Sequence, residues 1–247
     1  MYKIIALWSH PRSLSTVMER VFLERGDMEV FHEPFSYLYY FYDKIRDISY
    51  TSTAFNSNHP LSYADISEML RNASARSIVF HKDMCFHCNS YIFNDLDFIY
   101  ERVNTFIIRH PRKSIRSYAA ICPRFEIEQL GYKELYKTFN FIKQLLGHPP
   151  IVIDADDLES HPETVLNNYC IQIGVDPSLN STSWSSGMPH QWRIWTKWHE
   201  KVAQGGSIRG GTNNYSDDII DASRLNNYSD QLLPFYSEIV KYKMPIN

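Results

Sequence analysis

The stretch "HPRSLST", residues 10–16, joins the short apolar run Tyr2–Trp8 to a segment with helical periodicity. In that segment apolar residues recur at the i, i+3, i+4 and i+7 spacing of one helix face, namely Leu14, Val17, Met18 and Val21. A strand, a polar loop and a helix in this order begin a βαβ unit, and the unpaired amides at the helix N-terminus favour a bound anion. The stretch therefore predicts an α/β fold with an anion site in the first loop.

Four further apolar runs of strand length alternate with helix-type segments: Met28–Phe31, Ser77–Phe80, Thr105–Ile108 and Ile151–Ile153. This alternation predicts a three-layer αβα architecture around a central parallel sheet of about five strands. The positions of glycine and proline agree with this alternation of strands and helices, since Gly26 and Gly147 can end helices and Pro162 can begin one. Nothing in 247 residues requires a second domain, so we expect a single domain over residues 1–247.

Two regions do not fit the alternation: Asp43–Asp65 and Gln204–Asn214. Both are expected to be surface loops or lids. Because active sites in such folds lie beyond the carboxyl ends of the strands, the loop after the first strand is in the right place for chemistry.

Charge and hydropathy exclude several classes of protein. The formal net charge of −3 argues against a general nucleic-acid binder, which needs a basic excess. The short N-terminal apolar run is not typical of a signal peptide, and no stretch approaches the roughly 20 apolar residues that span a bilayer. We therefore expect no nucleic-acid partner, no membrane association and a cytoplasmic location.

The cysteines bear on redox state and metal binding. Four cysteines in a chain of this length do not form a disulfide framework: Cys85, Cys88, Cys122 and Cys170. Cys85 and Cys88 have the C-x-x-C spacing of a zinc site, with His81 and His87 near, but a second ligand pair at similar spacing is missing. Buried or half-buried free thiols and no metal are the expectation.

The loop "PRSLST", residues 11–16, offers three hydroxyls and one guanidinium beside a helix N-terminus. Such donors suit an anion, although the G-x-x-x-x-G-K-[ST] pattern of nucleoside triphosphatases is missing. The alternative interpretation is a plain N-cap formed by Ser13 or Ser15.

A second basic segment, "FIIRHPRKSIRSY", spans residues 106–118. Arg109 ends a strand-type run, Pro111 can start a helix, and Ser117 lies eight residues after Arg109. A strand end and a helix turn could thus converge on one phosphate. The alternative is a solvated basic helix face, the usual explanation of a lone charge run.

Together these two segments resemble the signatures of sulfotransferases that use 3′-phosphoadenosine-5′-phosphosulfate (PAPS). The family's first-strand loop has the form P-[KR]-S-G-[ST]-[ST], and a later R-x-P-[KR]-x-x-x-x-S element holds the 3′-phosphate. The segment "IVIDADDLESHPETVL", residues 151–166, is similar to the family's strand ending in Y-E-D-L. The resemblance covers about residues 3–175 and points to the P-R-S-type small-molecule branch, whose members are sometimes named after aminotransferases.

The resemblance implies a P-loop-like sulfotransferase fold and a set of cofactor-binding residues. The 5′-phosphosulfate would lie on the first loop, formed by Arg12, Ser13, Leu14, Ser15 and Thr16. Leu14 departs from the family's glycine, and Arg12 supplies a bidentate fork where the cytosolic branch has lysine. Arg109 and Ser117 would hold the 3′-phosphate. "GGSIRGG", residues 205–211, resembles the flexible segment that covers this phosphate, through Arg209 and Gly210.

The family's chemistry implies a general base near the first loop and no metal. Glu33 in "HEPF", residues 32–35, follows the second strand, and Pro34 is expected to hold it extended. "HKDMCFH", residues 81–87, is expected to follow the third strand and offers His81, Lys82 and His87. We place Glu33 slightly ahead of His87 as the base, while Arg12 and Lys82 stabilise the leaving phosphosulfate or the sulfuryl group. Each histidine could instead be structural.

The aromatic clusters do not identify the acceptor molecule. "YLYYFY", residues 37–42, could line an acceptor pocket or the edge of a core helix, and Trp192, Trp195 and Trp198 have the spacing of packing residues. The predicted activity is transfer of a sulfuryl group from PAPS to a hydroxyl or amine of a small molecule. The alternatives are a divergent P-loop kinase using ATP and Mg²⁺, and a non-catalytic nucleotide-binding module.

Overall fold

The computed structural model describes residues 3–45, 56–208 and 220–246. The main sheet has five strands: β1 (Ile4–Ser9), β2 (Met28–His32), β3 (Ile78–Met84), β4 (Arg102–Ile108) and β5 (Ile151–Asp154). The α-helices are α1 (Ser15–Arg25), α2 (Tyr63–Ser74), α3 (Asn89–Ile92), α4 (Leu96–Tyr100), α5 (Pro111–Ala119), α6 (Tyr132–Leu146), α7 (Ala155–Ser160), α8 (Pro162–Ile173), α9 (Thr196–Ala203) and α10 (Ala222–Val240).

The sheet has the strand order β2-β3-β1-β4-β5, and every neighbouring pair is parallel. β1 is central, so its carboxyl end lies between the ends of β3 and β4. The strand order switches sides at β1. The next two strands along the chain, β2 and β3, lie on one side of β1, whereas β4 and β5 lie on the other. Ligands of open α/β sheets bind at such a position.

Both faces of the sheet are buried under helices. Ile4, Ala6 and Trp8 of β1 pack into one hydrophobic core, with residues of α2, α5, α6 and α10. Ile5 and Leu7 point into the other, with residues of α1 and α8. A strand covered on both faces reads as a continuous apolar run, which explains why the β1 segment could be found from its sequence. The predicted three-layer fold with a five-stranded parallel sheet is confirmed.

Helix ends follow the predicted punctuation. Gly26 and Gly147 follow α1 and α6 with φ of 70° and 74°, the left-handed region that a side chain disfavours. Pro162 is the first residue of α8 and Pro111 the first of α5. None of the helices described is long and apolar enough to cross a bilayer.

Three predicted segments differ from the structure in their bounds. β3 extends to Met84 rather than ending at Phe80, so His81 and Lys82 lie within the strand instead of following it. Lys82 Nζ pairs with Glu33 and His81 Nδ1 contacts Asp83 inside the protein, which lets the strand continue beyond its apolar run. Within the expected loop Gln204–Asn214, the strand β7 (Gly206–Ser207) pairs with β6 (Ser183–Trp184), and the last residues of Asp43–Asp65 form the first turn of α2.

Candidate functional site

A cavity of about 350 Å³ opens at the carboxyl end of the sheet. It lies beside the N-terminus of α1 and the end of β3, and segments around α9 and β7 close its other side. Its wall contains most of the residues singled out from the sequence: Arg12, Leu14, Ser15, Thr16, Glu33, His87, Arg109 and Ser117. Segments far apart in the chain therefore meet at one place.

The first loop enters α1 through an unusual backbone. Arg12 and Leu14 both have positive φ, 66° and 69°, and Leu14 is the N-cap residue. Leu14 makes no side-chain hydrogen bond to the helix, so the plain N-cap by Ser13 or Ser15 is not present among the residues described. The Ser13 hydroxyl is buried with no hydrogen-bond partner among the residues described. Unpaired amides at a helix N-terminus and an unpaired hydroxyl beside them are donors of the kind that bind an anion.

Arg12 joins the two predicted anion-binding segments. Its Nε donates a hydrogen bond of 2.8 Å to Ser117 Oγ on α5, and its Nη1 donates one of 3.0 Å to the Trp198 carbonyl on α9. Arg12 and Ser117 are 105 positions apart in the sequence. Both remain in the cavity wall, so a guanidinium and a hydroxyl from different segments face the same volume.

Arg109 lies at the end of β4 and is ion-paired. Its Nη2 donates to Glu159 Oε1 on α7 at 2.8 Å, and its Nη1 donates to the Arg12 carbonyl at 3.4 Å. The Arg109 Nε is buried and has no partner among the described residues. Glu159 also lies in the cavity wall, so a carboxylate stands beside the guanidinium assigned to the 3′-phosphate. Sequence reasoning did not single out this carboxylate.

His10 connects the first loop to the residue that follows β4, and it was not among the site residues predicted from the sequence. Its Nδ1 lies 3.0 Å from the Pro11 carbonyl, and the Arg109 amide donates to its Nε2 at 3.1 Å. The ring must therefore be neutral, with its hydrogen on Nδ1. Complete burial lowers the pKa of His10 to about 3, more than the contact with Pro11 raises it. The position of His10, directly after β1, was the signal available.

Glu33 and Lys82 form a buried ion pair at the edge of the cavity. Lys82 Nζ donates to Glu33 Oε1, and it lies 3.9 Å from Glu19 Oε2. Burial alone would raise the pKa of Glu33, but Lys82, His32 and His87 together lower it to about 2. Lys82 itself is completely buried and, among the residues described, is not part of the cavity wall.

The backbone of Glu33 is not extended, although an extended conformation had been expected from Pro34. Its φ is 41°, in the left-handed region, rather than the extended value that Pro34 favours. The Glu33 amide donates to the Lys82 carbonyl at 2.8 Å, and its carbonyl accepts from Ser36, so pairing to β3 and a tight turn fix this conformation. Strained backbone of this kind concentrates at functional sites.

His87 lies in the short 3-10 turn Cys85–His87 that directly follows β3. Its Nδ1 is 3.3 Å from Asp83 Oδ1, and the ring forms part of the cavity wall. His81 Nδ1 contacts the other oxygen of Asp83 at 3.2 Å, and the His81 side chain is completely buried. Burial raises the pKa of the Asp83 carboxyl well above its usual range. Of the two histidines, only His87 reaches the cavity.

Behind the first loop lies a buried polar chain, which we call the Glu19 chain. Glu19 Oε2 is 2.7 Å from His32 Nδ1, His32 Nε2 is 3.1 Å from His199 Nε2, and His199 Nδ1 is 3.3 Å from Thr16 Oγ1. Trp192 Nε1 donates to the other oxygen of Glu19 at 2.7 Å. The chain thus runs from a fully buried carboxylate to a hydroxyl in the cavity wall.

The same region contains a geometric candidate for metal binding. His32, Glu33 and His199 each place a ligand atom within 4.8 Å of the others, the one group of this kind within the part of the chain described. The Lys82 ammonium, however, binds the Glu33 carboxylate where a cation would bind, and the two imidazoles contact each other. The arrangement fits an ion-paired, hydrogen-bonded cluster better than a metal centre.

Comparison with known proteins identifies the family of this chain. A family model described as "Sulfotransferase domain" matches residues 2–241. The chain belongs to the sulfotransferase family. Two curated relatives from Arabidopsis thaliana, branched-chain-amino-acid aminotransferase-like proteins 2 and 1, are 26% and 28% identical over 198 and 203 residues. These alignments cover 79% and 81% of the chain but 34% and 35% of the relatives, so the chain spans about a third of their length.

Solved structures share the sulfotransferase fold. The sulfotransferase domain of a Synechococcus olefin synthase superposes with a TM-score of 0.63 at 16% identity, over 99% of this chain and 96% of that one. The sulfotransferase domain from the curacin biosynthetic pathway gives 0.56 at 14% identity, over 99% of both chains. At these identities the structures establish the fold alone.

The remaining wall of the sulfotransferase cavity includes several aromatic side chains. Tyr40, from the π-helical turn Leu38–Tyr42, contacts Trp195 with ring centroids 4.9 Å apart, and Phe86 contacts His87 at 4.9 Å. Residues 37–42 divide between two environments, since Tyr40 lines the cavity whereas Leu38 is core, and an acceptor-binding role stays a prediction. Trp195 and Trp198 also line the cavity, so packing describes only part of the tryptophan cluster.

Other predicted residues lie elsewhere. The four cysteines are free and buried, as expected: Cys85, Cys88, Cys122 and Cys170. Arg209 and Gly210 fall outside the described residues, and the preceding Ile208 belongs to the cavity wall.

Proposed function

We propose that this sulfotransferase transfers a sulfuryl group from PAPS to a hydroxyl or amine of a small-molecule acceptor, within a single domain over residues 1–247. The observation that supports the donor best is the 2.8 Å contact between Arg12 and Ser117. It joins the loop proposed for the 5′-phosphosulfate to the helix proposed for the 3′-phosphate. A nucleotide with two separate anionic groups matches two anion-binding segments that share one cavity.

The unsatisfied donors fit such a nucleotide. The uncapped N-terminus of α1, the Ser13 hydroxyl and the Arg109 Nε all lie at the first loop or at the end of β4. These donors suit an anionic ligand, since helix amides and guanidinium groups bind phosphate oxygens strongly. Arg12 would neutralise charge that develops on the leaving phosphate, and transfer of a sulfuryl group needs no metal bridging two phosphates.

The chemical step requires a proton acceptor near the first loop. The acceptor oxygen or nitrogen bonds to sulfur, the bond between sulfur and the bridging phosphate oxygen breaks, and adenosine 3′,5′-bisphosphate leaves with the electron pair. We propose that Glu33 receives the acceptor's proton, because its carboxylate is ionised and lies in the cavity wall. Lys82 positions this carboxylate through their ion pair. His87, oriented by Asp83, is the second candidate.

The acceptor would lie against the aromatic wall. Tyr40 and Phe86 line the cavity and contact the His87 ring, with ring centroids 5.7 and 4.9 Å apart, and Trp195 lines it in contact with Tyr40. Apolar and aromatic walls bind uncharged ring or chain systems, while one or two polar groups fix the orientation. An acceptor with an apolar body and one hydroxyl or amine fits this surface.

Binding without metal tests the donor assignment. We expect PAPS and adenosine 3′,5′-bisphosphate to bind in EDTA, and ATP to bind weakly with or without Mg²⁺, because the lysine and metal-binding pattern of ATP-dependent enzymes is missing. Titration calorimetry with each nucleotide measures the affinities. Equal affinity for ATP and PAPS would reject the donor and favour the kinase alternative.

Variants of Arg109 and Glu159 sharpen this test. Arg109→Ala should weaken binding of the 3′-phosphorylated nucleotides by about 10–150-fold, since a charge-assisted hydrogen bond contributes roughly 1.5–3 kcal/mol. Adenosine 5′-phosphosulfate lacks that phosphate and should be little affected. Glu159→Gln is the matched control, because removing the competing carboxylate should strengthen 3′-phosphate binding several-fold. Equal losses for both nucleotides in Arg109→Ala would make Arg109 structural.

A further inference from the structure

The Glu19 chain offers only a few arrangements of its hydrogens. A carboxylate accepts hydrogen bonds, so the 2.7 Å contact with Glu19 places a hydrogen on His32 Nδ1. If the Glu19–His32 pair carries only that proton, His32 Nε2 is an acceptor and His199 Nε2 must donate to it. His199 is neutral, because burial lowers its pKa well below the ordinary value, so its Nδ1 then accepts from the Thr16 hydroxyl.

One additional proton on the Glu19–His32 pair reverses the chain. His32 Nε2 then donates to His199 Nε2, and His199 Nδ1 donates to Thr16 Oγ1. The Thr16 hydroxyl is free to turn its own hydrogen into the cavity, whose wall it forms. An anion in the first loop needs this second arrangement, because it accepts hydrogen bonds and repels a lone pair.

We infer that anion binding at Thr16 is coupled to uptake of one proton by the buried Glu19–His32 pair, through His199. Glu19, His32 and His199 are positioning residues in this proposal, since among them only His199 reaches the cavity and none is assigned to the reacting atoms. The inference rests on the proposed function, because the anion is taken to be the 5′-phosphosulfate of the donor.

The charged groups around His32 favour the same direction of coupling. Glu19 on α1 and Glu33 after β2 are carboxylates, and Lys82 on β3 is the cation between them. His199 on α9 and Trp192 contact the chain as neutral groups. With a neutral His32 these three charges sum to −1 beside an anion site, and protonation of His32 brings the sum to zero. Arg12 and His87 lie further towards the cavity.

The sign of the pH dependence follows from linkage. An anion that prefers the protonated pair binds together with a proton, so the complex holds more protons than the free protein. Affinity is then greatest at low pH and falls as pH rises. Where one proton is taken up in full, binding weakens by about tenfold for each pH unit.

The experiment is calorimetric titration with adenosine 5′-phosphosulfate in EDTA, from about pH 6 to about pH 9, in buffers of different ionisation enthalpy. This probe lacks the 3′-phosphate, so no group of the ligand titrates over the range. We expect uptake of about one proton per bound ligand at the pH of steepest dependence. Binding that is independent of pH would overturn the coupling and leave the donor assignment standing. No binding at any pH, of this probe or of PAPS, would overturn the donor and the coupling with it.

Two Thr16 variants separate the effect of the hydroxyl group on proton uptake from any effect on folding. Thr16→Ser retains the hydroxyl and should keep the proton uptake, whereas the isosteric Thr16→Val should bind more weakly and take up no proton. His32→Gln removes the ring proposed to take up the proton and should behave like Thr16→Val. Full uptake in Thr16→Val would show that the proton enters elsewhere and would overturn the proposal, even if the more buried His32→Gln failed to fold.

Discussion

Glu33 combines three features that rarely occur in one residue: a left-handed backbone, a buried ion pair and a place in a cavity wall. The ion pair keeps the carboxylate charged but also makes it a weak base, with a pKa of about 2. A weak base serves here if the proton leaves late, because the acceptor hydroxyl becomes far more acidic as its oxygen bonds to sulfur.

Glu33→Gln tests this assignment, since it keeps the shape and removes the basicity. We expect donor affinity to be retained and turnover to fall by about two to four orders of magnitude. His87→Asn is the comparison and should lose less. Single-turnover rates and donor affinities of both variants decide between them, with thermal unfolding to show that Lys82 is still accommodated. Near-normal turnover of Glu33→Gln beside an inactive His87→Asn would transfer the role to the histidine.

At the level of elements, the junction between β1 and α1 carries backbone strain at Leu14, where the loop pattern that this segment resembles has glycine. Leu14 has a φ of 69°, which costs an ordinary residue roughly 1–2 kcal/mol. Its half-buried side chain packs against the core between the sheet and α1, which offsets that cost. The loop thus keeps a glycine-like conformation without glycine.

A pair of variants isolates this strain. Leu14→Gly and Leu14→Ala remove the same packing, but only glycine relieves the left-handed conformation. We expect Leu14→Gly to be at least as stable as Leu14→Ala, by up to about 1 kcal/mol, after the greater flexibility of glycine in the unfolded chain is included. Urea unfolding of both variants measures the difference. A Leu14→Ala protein more stable by about 1 kcal/mol, as in an ordinary helix, would contradict the strained loop.

Across the whole molecule, His10 connects the central strand of the sheet to the start of α5 through the Arg109 amide. The connection requires a neutral ring. Because the folded pKa of about 3 lies below the unfolded value of 6.5, the native state binds fewer protons than the unfolded state between these values. Stability from this group is therefore full above pH 6.5 and is lost as pH falls towards 3.

The expected size is about 1.4 kcal/mol per pH unit across that window. Other buried groups also titrate there, so the comparison is between the natural chain and His10→Gln, which lacks the proton site. The free energy of unfolding of His10→Gln should be lower near neutral pH and should fall less steeply between about pH 6 and pH 4, by about one proton. Parallel pH profiles for the two proteins would show that His10 titrates normally.

The apolar pattern and the positions of glycine and proline were enough to predict the five parallel strands and several helix ends. These features depend on local patterns, since a strand buried on both faces is a continuous apolar run and glycine or proline marks where a helix can end or begin. The two segments predicted to bind anions line one cavity, and they could be selected because their donors are adjacent in sequence to strand ends and helix starts. Their roles in binding stay predictions until the nucleotides are tested.

Tertiary structure alone decided how the charged groups pair. Lys82 and His81 are within β3 rather than after it, and Lys82 binds a carboxylate 49 positions earlier. The contacts of Glu159 with Arg109 and of Glu19 with His32 likewise join different elements. No local pattern encodes such contacts, because they depend on which strand ends meet across the sheet. The pKa values of Glu33 and His10 follow from that assembly, since burial and neighbouring charge exist only in the folded chain.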